Sequence, residues 1–269
     1  MAKINFTNGL RDEYRRLFDT CEIRPNRFAA VDAIVDAIEK HKDRYITVGT
    51  PLGIPWYVVG VIHNMEASLR FTTHLHNGDP LTARTVQVPA GRPKTGSPPF
   101  TWEESANDAL RQRGLNGLPD WSIPIMLYRL EGYNGFGYRL GHPDVLSPYL
   151  WSFTNHYSKG KFVADHKFSH TAVSGQCGAA AIIRRMTERG MIAFGADGQP
   201  VEGTAPSVSD LVQNVRFSKT VKSAAAEQLQ RALNNIPGIF LRVDGVPGTG
   251  TSDAVKAVTG HFLIGDPRA

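Results

Sequence analysis

The sequence predicts a mainly α protein in two parts. A large domain over residues 1–203 is helical apart from a small β region, and a small helical domain covers 204–269. Three observations carry this reading. Apolar residues recur at helical spacing through much of residues 8–69 and 101–190. Residues 71–98 are rich in Thr and punctuated by Gly78, Pro80, Pro89, Gly91, Pro93, Gly96 and Pro98, which reads as short strands or irregular loops. Residues 195–209 break the composition with Gly, Pro and Ser, as an interdomain linker does.

Taken in order, Asn8 to Cys21 places Leu10, Tyr14, Leu17, Phe18 and Cys21 on one helical face. Asn26 is positioned to cap a second helix with the stripe Phe28, Val31, Ile34, Val35 and Ile38. Pro51 and Gly53 interrupt, and Pro55 suits the first turn of a helix running to Leu69. Further helices are expected over 101–113, 122–132 and 176–190, the first opened by a capping box, Thr101-Trp102-Glu103-Glu104. The tail contains a helix near 222–235, then Gly245, Gly248 and Gly250, then a helix from Ser252.

The composition is that of a globular chain: 269 residues, 41% hydrophobic and 20% charged, which excludes a disordered or collagen-like protein. Cys21 and Cys177 are too few for a disulfide framework and read as free core thiols. No apolar run reaches about 18 residues, so no membrane-spanning helix is expected. The N-terminus lacks the apolar segment of a secretory signal. Thirty Lys and Arg against 25 Asp and Glu give +5, with the basic residues scattered and none forming a nucleic-acid arm.

One carboxylate is out of place. In the helix ending Asn64-Met65-Glu66, Val59, Ile62 and Glu66 follow i, i+3, i+7, so Glu66 falls on or beside the apolar stripe. Burial raises a carboxyl pKa, as a general acid near neutral pH requires. A Glu at the stripe edge that reaches solvent, or pairs with Arg70 or His63, is the plainer alternative. The turn-rich segment that follows supplies Asp79, with His76 and Thr82 as candidate sugar contacts. Asp79 is either the second carboxylate of a sugar cleft or a turn former in Asn77-Gly78-Asp79-Pro80. Glu103, Glu104 and Asp120 compete with it for the catalytic role. Tyr133, Asn134 and Gly135 combine a ring for sugar stacking, an amide for an acetamido group, and glycine for close approach.

The run Asn64-Met65-Glu66, then His76-Asn77-Gly78-Asp79-Pro80-Leu81, resembles the lysozyme superfamily, over roughly residues 10–190. Val88-Pro-Ala-Gly-Arg-Pro93 and Phe162 to Met186 carry the same likeness to bacterial and phage lysozyme-like proteins. Tyr133-Asn134-Gly135 is similar to the Tyr-Asn-Gly motif of goose-type lysozymes and soluble lytic transglycosylases. The resemblance implies a lysozyme-like α+β catalytic domain. Glu66 would be the catalytic acid, Asp79 would position water, and Tyr133, Asn134 and Gly135 would hold the N-acetyl sugars.

Leu229-Gln-Arg-Ala-Leu-Asn234, Asp244-Gly-Val-Pro-Gly248 and Thr251-Ser-Asp-Ala-Val255 resemble the three-helix peptidoglycan-binding module, with Thr251 or Ser252 as the last helix cap. Together the resemblances imply a cofactor-free N-acetylmuramidase of endolysin type. It would act as a monomer on peptidoglycan glycan strands, without nucleic acid or membrane insertion. It would be made in the cytoplasm and reach the wall through a holin or a phage particle.

Other readings stay open. A lytic transglycosylase would use the muramic 6-hydroxyl in place of water. A non-catalytic wall-anchoring protein is a second alternative. A zinc peptidase or amidase would use His63, His74, His76 and Asp79, although no His-Glu-x-x-His occurs. Cys177 at a helix start leaves a Cys-His amidase as an alternative, but apolar Ala179 to Ile183 favours core packing there; His166 and His170 read as solvated.

Overall fold

A computed structural model of the chain describes residues 4–164, 167–195, 198–201, 208–234, 236 and 239–269. It is mainly helical with two small two-stranded sheets among the described residues. The chain divides into two compact units, Met1–Ile183 with Asp197–Gln199, and Arg184–Ala196 with Pro200–Ala269.

In the first unit, α1 (Asn8–Asp19) is capped by Thr7, whose side chain accepts from the Leu10 N–H, and it buries Leu10, Tyr14, Leu17 and Phe18. Asn26 does not cap the next helix; it lies in the 3-10 turn Pro25–Arg27, which feeds directly into α2 (Phe28–Lys40). Then come α3 (Lys42–Gly49) and α4 (Trp56–Ala67). Pro55 is the N-cap of α4 and not its first turn.

The sequence reading gave α4 a one-sided stripe. Instead, every residue from Tyr57 to Met65 is buried, the signature of a central helix packed on all faces. Gly60 explains how closely it is held: a Cβ there would lie 2.5 Å from Ile38 Cγ2. The helix ends with Ser68 and Leu69 in the left-handed region, φ 50° and 58°. Two consecutive non-glycine residues there cost roughly 1–2 kcal/mol each, so Leu69 leaves the helix and does not extend it.

Of the two readings of 71–98, short strands or irregular loops, the loops are found: no strand occurs there, only an isolated bridge between Thr73 and Pro80. Prolines 80, 89, 93, 98 and 99 lack N–H groups and cannot donate to a ladder. Side chains organise this segment instead. The capping box is present: Thr101 accepts from the Glu104 N–H, and Glu104 reaches back to the Thr101 N–H, opening α5 (Trp102–Gln112). Next are α6 (Ile123–Asn134), α7 (Gly137–Gly141) and α8 (Pro148–Trp151). The strands lie later, β1 (Lys161–Ala164) against β2 (Lys167–Ser169), antiparallel with a bulge.

The division between units falls inside α9 (Ala179–Glu188), ahead of the composition break at 195–209. A hydrogen bond from its last turns explains why. Arg185, paired within the helix to Glu188 at 3.4 Å, donates to the Ile239 carbonyl, so the end of α9 belongs with the second unit. The expected boundary at 203/204 lies outside the described residues. The second unit continues with the short pair β3 (Ala193–Phe194) and β4 (Pro200–Val201), then α10 (Val208–Val212), α11 (Ala224–Asn234) and α12 (Thr249–Thr259). Leu211, Val215, Leu229, Leu233, Val255 and Leu263 form its core.

The motif residues of that unit are explained by loop bonding. Gln230 Oε1 accepts from the N–H groups of Asp244 and Gly245, while its Nε2 reaches Asp244 Oδ1, the Val246 carbonyl and Thr251 Oγ1. Asn234 exchanges two hydrogen bonds with the Leu241 backbone. Gly248, and neither Thr251 nor Ser252, caps α12; Ser252 accepts the Leu263 N–H from inside the helix.

Candidate active site

Glu66 occupies the last turn of α4, where the central helix runs out toward solvent, and it is half-buried. The Tyr149 hydroxyl, delivered by α8, donates to Glu66 Oε1 at 2.8 Å. Burial pushes the Glu66 carboxyl above its ordinary range; the Tyr149 hydrogen bond and the Arg113 charge oppose this without cancelling it. A proton is therefore held there to higher pH than on a free glutamate.

Three further side chains share this environment. Tyr133, at the end of α6, is buried, and its phenol is pushed up by burial and then by the Glu66 charge. Tyr149 is pushed up by burial, then by Glu66 and Tyr133. Arg113, the C-cap of α5, lies with Cζ 4.4 Å from the Tyr133 ring centroid. Thus α4, α5, α6 and α8 converge on one acid, two phenols and one guanidinium. Of the sugar-binding candidates, Tyr133 is brought to Glu66. Asn134 follows it, exposed at the helix end, and Gly135 has φ 87°.

The other carboxylates are treated differently. Asp79 Oδ2 accepts from the Val86 N–H at 2.8 Å, the Gln87 N–H at 3.0 Å and Asn77 Nδ2 at 3.0 Å. The two peptide donors hold its carboxyl below the ordinary range. Glu103 pairs with Arg44 at 2.6 Å, Glu104 closes the capping box, and Asp120 accepts from the Ser122 N–H and Gln199 Nε2. Glu131, buried, takes Tyr14 at 2.6 Å and Arg139 at 2.9 Å. Each of these is tied to partners within the fold; Glu131 is pushed up by burial as Glu66 is, but it faces Arg139 and the Tyr14 hydroxyl, whereas Glu66 accepts from a single phenol.

His76 is also committed. Its Nε2 donates to Asp108 Oδ2 at 2.8 Å, and its Nδ1 lies 3.5 Å from Ser105 Oγ. Thr82 is exposed in a turn. The histidines proposed for zinc have their ring nitrogens engaged by the protein: His63 by Tyr45 and the Arg70 carbonyl, His74 by Ser105 and the Ala83 carbonyl. No group of three metal-type ligands occurs among the described residues. Cys177 is the free core thiol expected of it: it is buried and pushed up to about 12 by desolvation, then by Cys21, the opposite of a nucleophile's environment. His166 lies outside the described residues, and His170 is exposed beside Phe168. No described helix is by itself long and apolar enough to cross a membrane.

Sequence reasoning missed Tyr149 and Arg113. Tyr149 lies far along the chain in a four-residue helix with no periodicity to tie it to Glu66. Arg113 carried only the weak signal of a basic residue ending a helix before glycine. Comparison with protein-family models, curated proteins and solved structures finds no match to this chain.

Proposed function

We propose that the chain is a peptidoglycan hydrolase of N-acetylmuramidase type, cleaving the β-1,4 bond between N-acetylmuramic acid and N-acetylglucosamine with Glu66 as general acid. The observation that carries this is the setting of Glu66: a carboxyl at the end of a buried helix, pushed above its ordinary range by burial, with one phenol as its only hydrogen-bond partner among the described residues. Protonated, it donates to the leaving glycosidic oxygen as the anomeric carbon gains oxocarbenium character. Tyr149 then donates to the carboxylate left behind and stabilises it. Tyr133 lies beside the acid and, with Asn134 and Gly135 next in the chain, serves as the sugar-binding edge, and the second unit serves as a wall-binding module.

A second reading is favoured by one observation. Asp79, Glu103, Glu104 and Asp120, the four sequence candidates for the second carboxylate, are all tied by hydrogen bonds or ion pairs within the fold, so none of these four is kept free for activating water. A site with one acid suits attack by the muramic 6-hydroxyl, the reaction of a lytic transglycosylase. Mass spectrometry of products from purified peptidoglycan separates the two. Reducing muramic ends indicate the hydrolase, and anhydromuramic ends indicate the transglycosylase. Both must disappear in Glu66→Gln; product formation that survives this substitution overturns the assignment of the acid. Wall binding without cleavage by the wild-type chain would replace both readings with an anchoring protein.

A further inference from the structure

The segment 84–92 projects from the first unit with its apolar side chains turned outward: Val86 is 82% exposed and Val88 91%. Burial of these side chains therefore does nothing to hold the segment in place, and its order depends on polar bonds. Thr85 supplies some of them. Its N–H donates to the Arg92 carbonyl, its hydroxyl donates to the Pro89 carbonyl, and that oxygen accepts the Arg92 N–H. Asp79 supplies the bonds to the tip, taking the consecutive N–H groups of Val86 and Gln87 on one oxygen. Asn77 completes the clasp by donating to both Asp79 Oδ2 and the Gln87 carbonyl.

The base of the segment is fastened to the helix that leads to the acid. Arg92 Nη1 and His76 Nε2 both meet the Asp108 carboxylate on α5, at 3.3 and 2.8 Å. Arg113, which lies over Tyr133, is five residues further along, about 7.5 Å at 1.5 Å per residue. Donors that favour the ionised carboxylate also make the group a weaker base.

We propose that Asp79 is a positioning residue for the reaction and not its base: it clasps the 84–92 segment against the body that carries the acid. This rests on the function proposed above. Asparagine is the discriminating replacement, because its amide oxygen can accept the same three donors while its neutral side chain cannot take a proton. The full-length chain is tested as Asp79→Asn and Asp79→Ala, by kinetics on soluble peptidoglycan fragments across pH and by hydrogen exchange at the Val86 and Gln87 amides.

The Asn variant is expected to keep both amides protected, to keep kcat/KM within about threefold, and to leave the pH profile in place. The Ala variant is expected to expose both amides and to lose about 10–100-fold in kcat/KM, mainly through KM, as a misplaced contact surface does. An Asn variant as inactive as the Ala variant with its amides still protected would overturn the proposal and return Asp79 to proton transfer. So would an Ala variant whose amides stay protected, or one whose amides open while turnover is unchanged. Absence of turnover in the wild-type chain would defeat the function and the positioning role with it; the exchange measurement would still decide whether Asp79 is the clasp.

Discussion

Glu66 in the first unit and Gln230 in the second are both polar side chains set among apolar neighbours, and the protein treats them in opposite ways. Gln230 is 2% exposed; its oxygen accepts two peptide N–H groups, and its amide nitrogen faces three acceptors. Glu66 has one hydroxyl, and burial works against its charge. A saturated buried polar group fixes a backbone. A carboxyl left under-partnered holds its proton to higher pH than a free one does. Asp79 and Asp120 also take peptide N–H groups and so brace backbone, while Glu131, pushed up by burial like Glu66, is tied to Arg139 and Tyr14. Residue type alone therefore does not identify the chemical group; the number of donors around it does.

The largest expected effect tests the Glu66 side of this contrast. Glu66→Gln keeps the size of the side chain and an oxygen for the Tyr149 hydroxyl, and it removes the acid. Turnover on peptidoglycan should fall by about 10²–10⁴-fold, the typical contribution of general acid catalysis, with the near-ultraviolet circular dichroism unchanged. Retained turnover would place Glu66 in the same structural class as Gln230.

The matching substitution on the other side is Gln230→Leu. It strands the Asp244 and Gly245 N–H groups away from their acceptor. Unsatisfied buried groups cost about 1–3 kcal/mol each, so the second unit should lose about 2–4 kcal/mol in urea unfolding while soluble-fragment cleavage is spared. A loss of wall binding without a loss of stability would show that Gln230 contacts ligand and is not a brace.

Much of this contrast was legible in the sequence, and the missing parts have physical causes. The helices carrying Tyr14, Glu66, Trp102 and Leu229 followed from apolar spacing and the Thr101 capping box. Glu66 was singled out for a stripe that does not exist: α4 is buried all round, so no face was there to read, and position at the helix end is what matters. Asp79 was legible both as a turn former and as a catalytic group, because Asn-Gly-Asp-Pro favours a turn whatever else the carboxylate does. Tyr149 and Arg113 reach Glu66 from distant helix ends, and no local pattern records such a meeting. Residues 71–98 read equally as short strands or irregular loops, and the prolines, which cannot donate to a ladder, favour the loops that are found.

A finer test concerns the group that partners Glu66. The Tyr149 hydroxyl favours the ionised carboxylate, so Tyr149→Phe should raise the Glu66 pKa further. Activity that needs the protonated acid is lost as pH rises through that pKa. The alkaline limb of kcat/KM should therefore move to higher pH in Tyr149→Phe, with a smaller loss at the optimum than Glu66→Gln shows. A limb that moves to lower pH, or stays fixed, would mean that another group controls it.

The smallest effect is on stability, and its sign differs from the usual acidic residue. The folded-state pKa of Glu66 lies above its unfolded value. Between the two values the folded chain binds more protons than the unfolded one, so stability falls as pH rises through this window. Glu66→Gln has no such proton to lose. At neutral pH the variant should be more stable than wild type, and the difference should close as pH falls below the ordinary glutamate range near 4.5. A gain of about 1 kcal/mol would appear as a Tm increase of about 2–4 °C in a chain of this size. Asp79, with its carboxyl held low by peptide donors, predicts the reverse: the contribution it makes is present above the unfolded carboxylate value and is lost as pH falls through the lower folded one. Paired melts of Glu66→Gln and Asp79→Ala across pH should therefore diverge from wild type in opposite directions at neutral pH. Two curves that shift together would remove the distinction between a carboxylate kept for chemistry and one kept for structure.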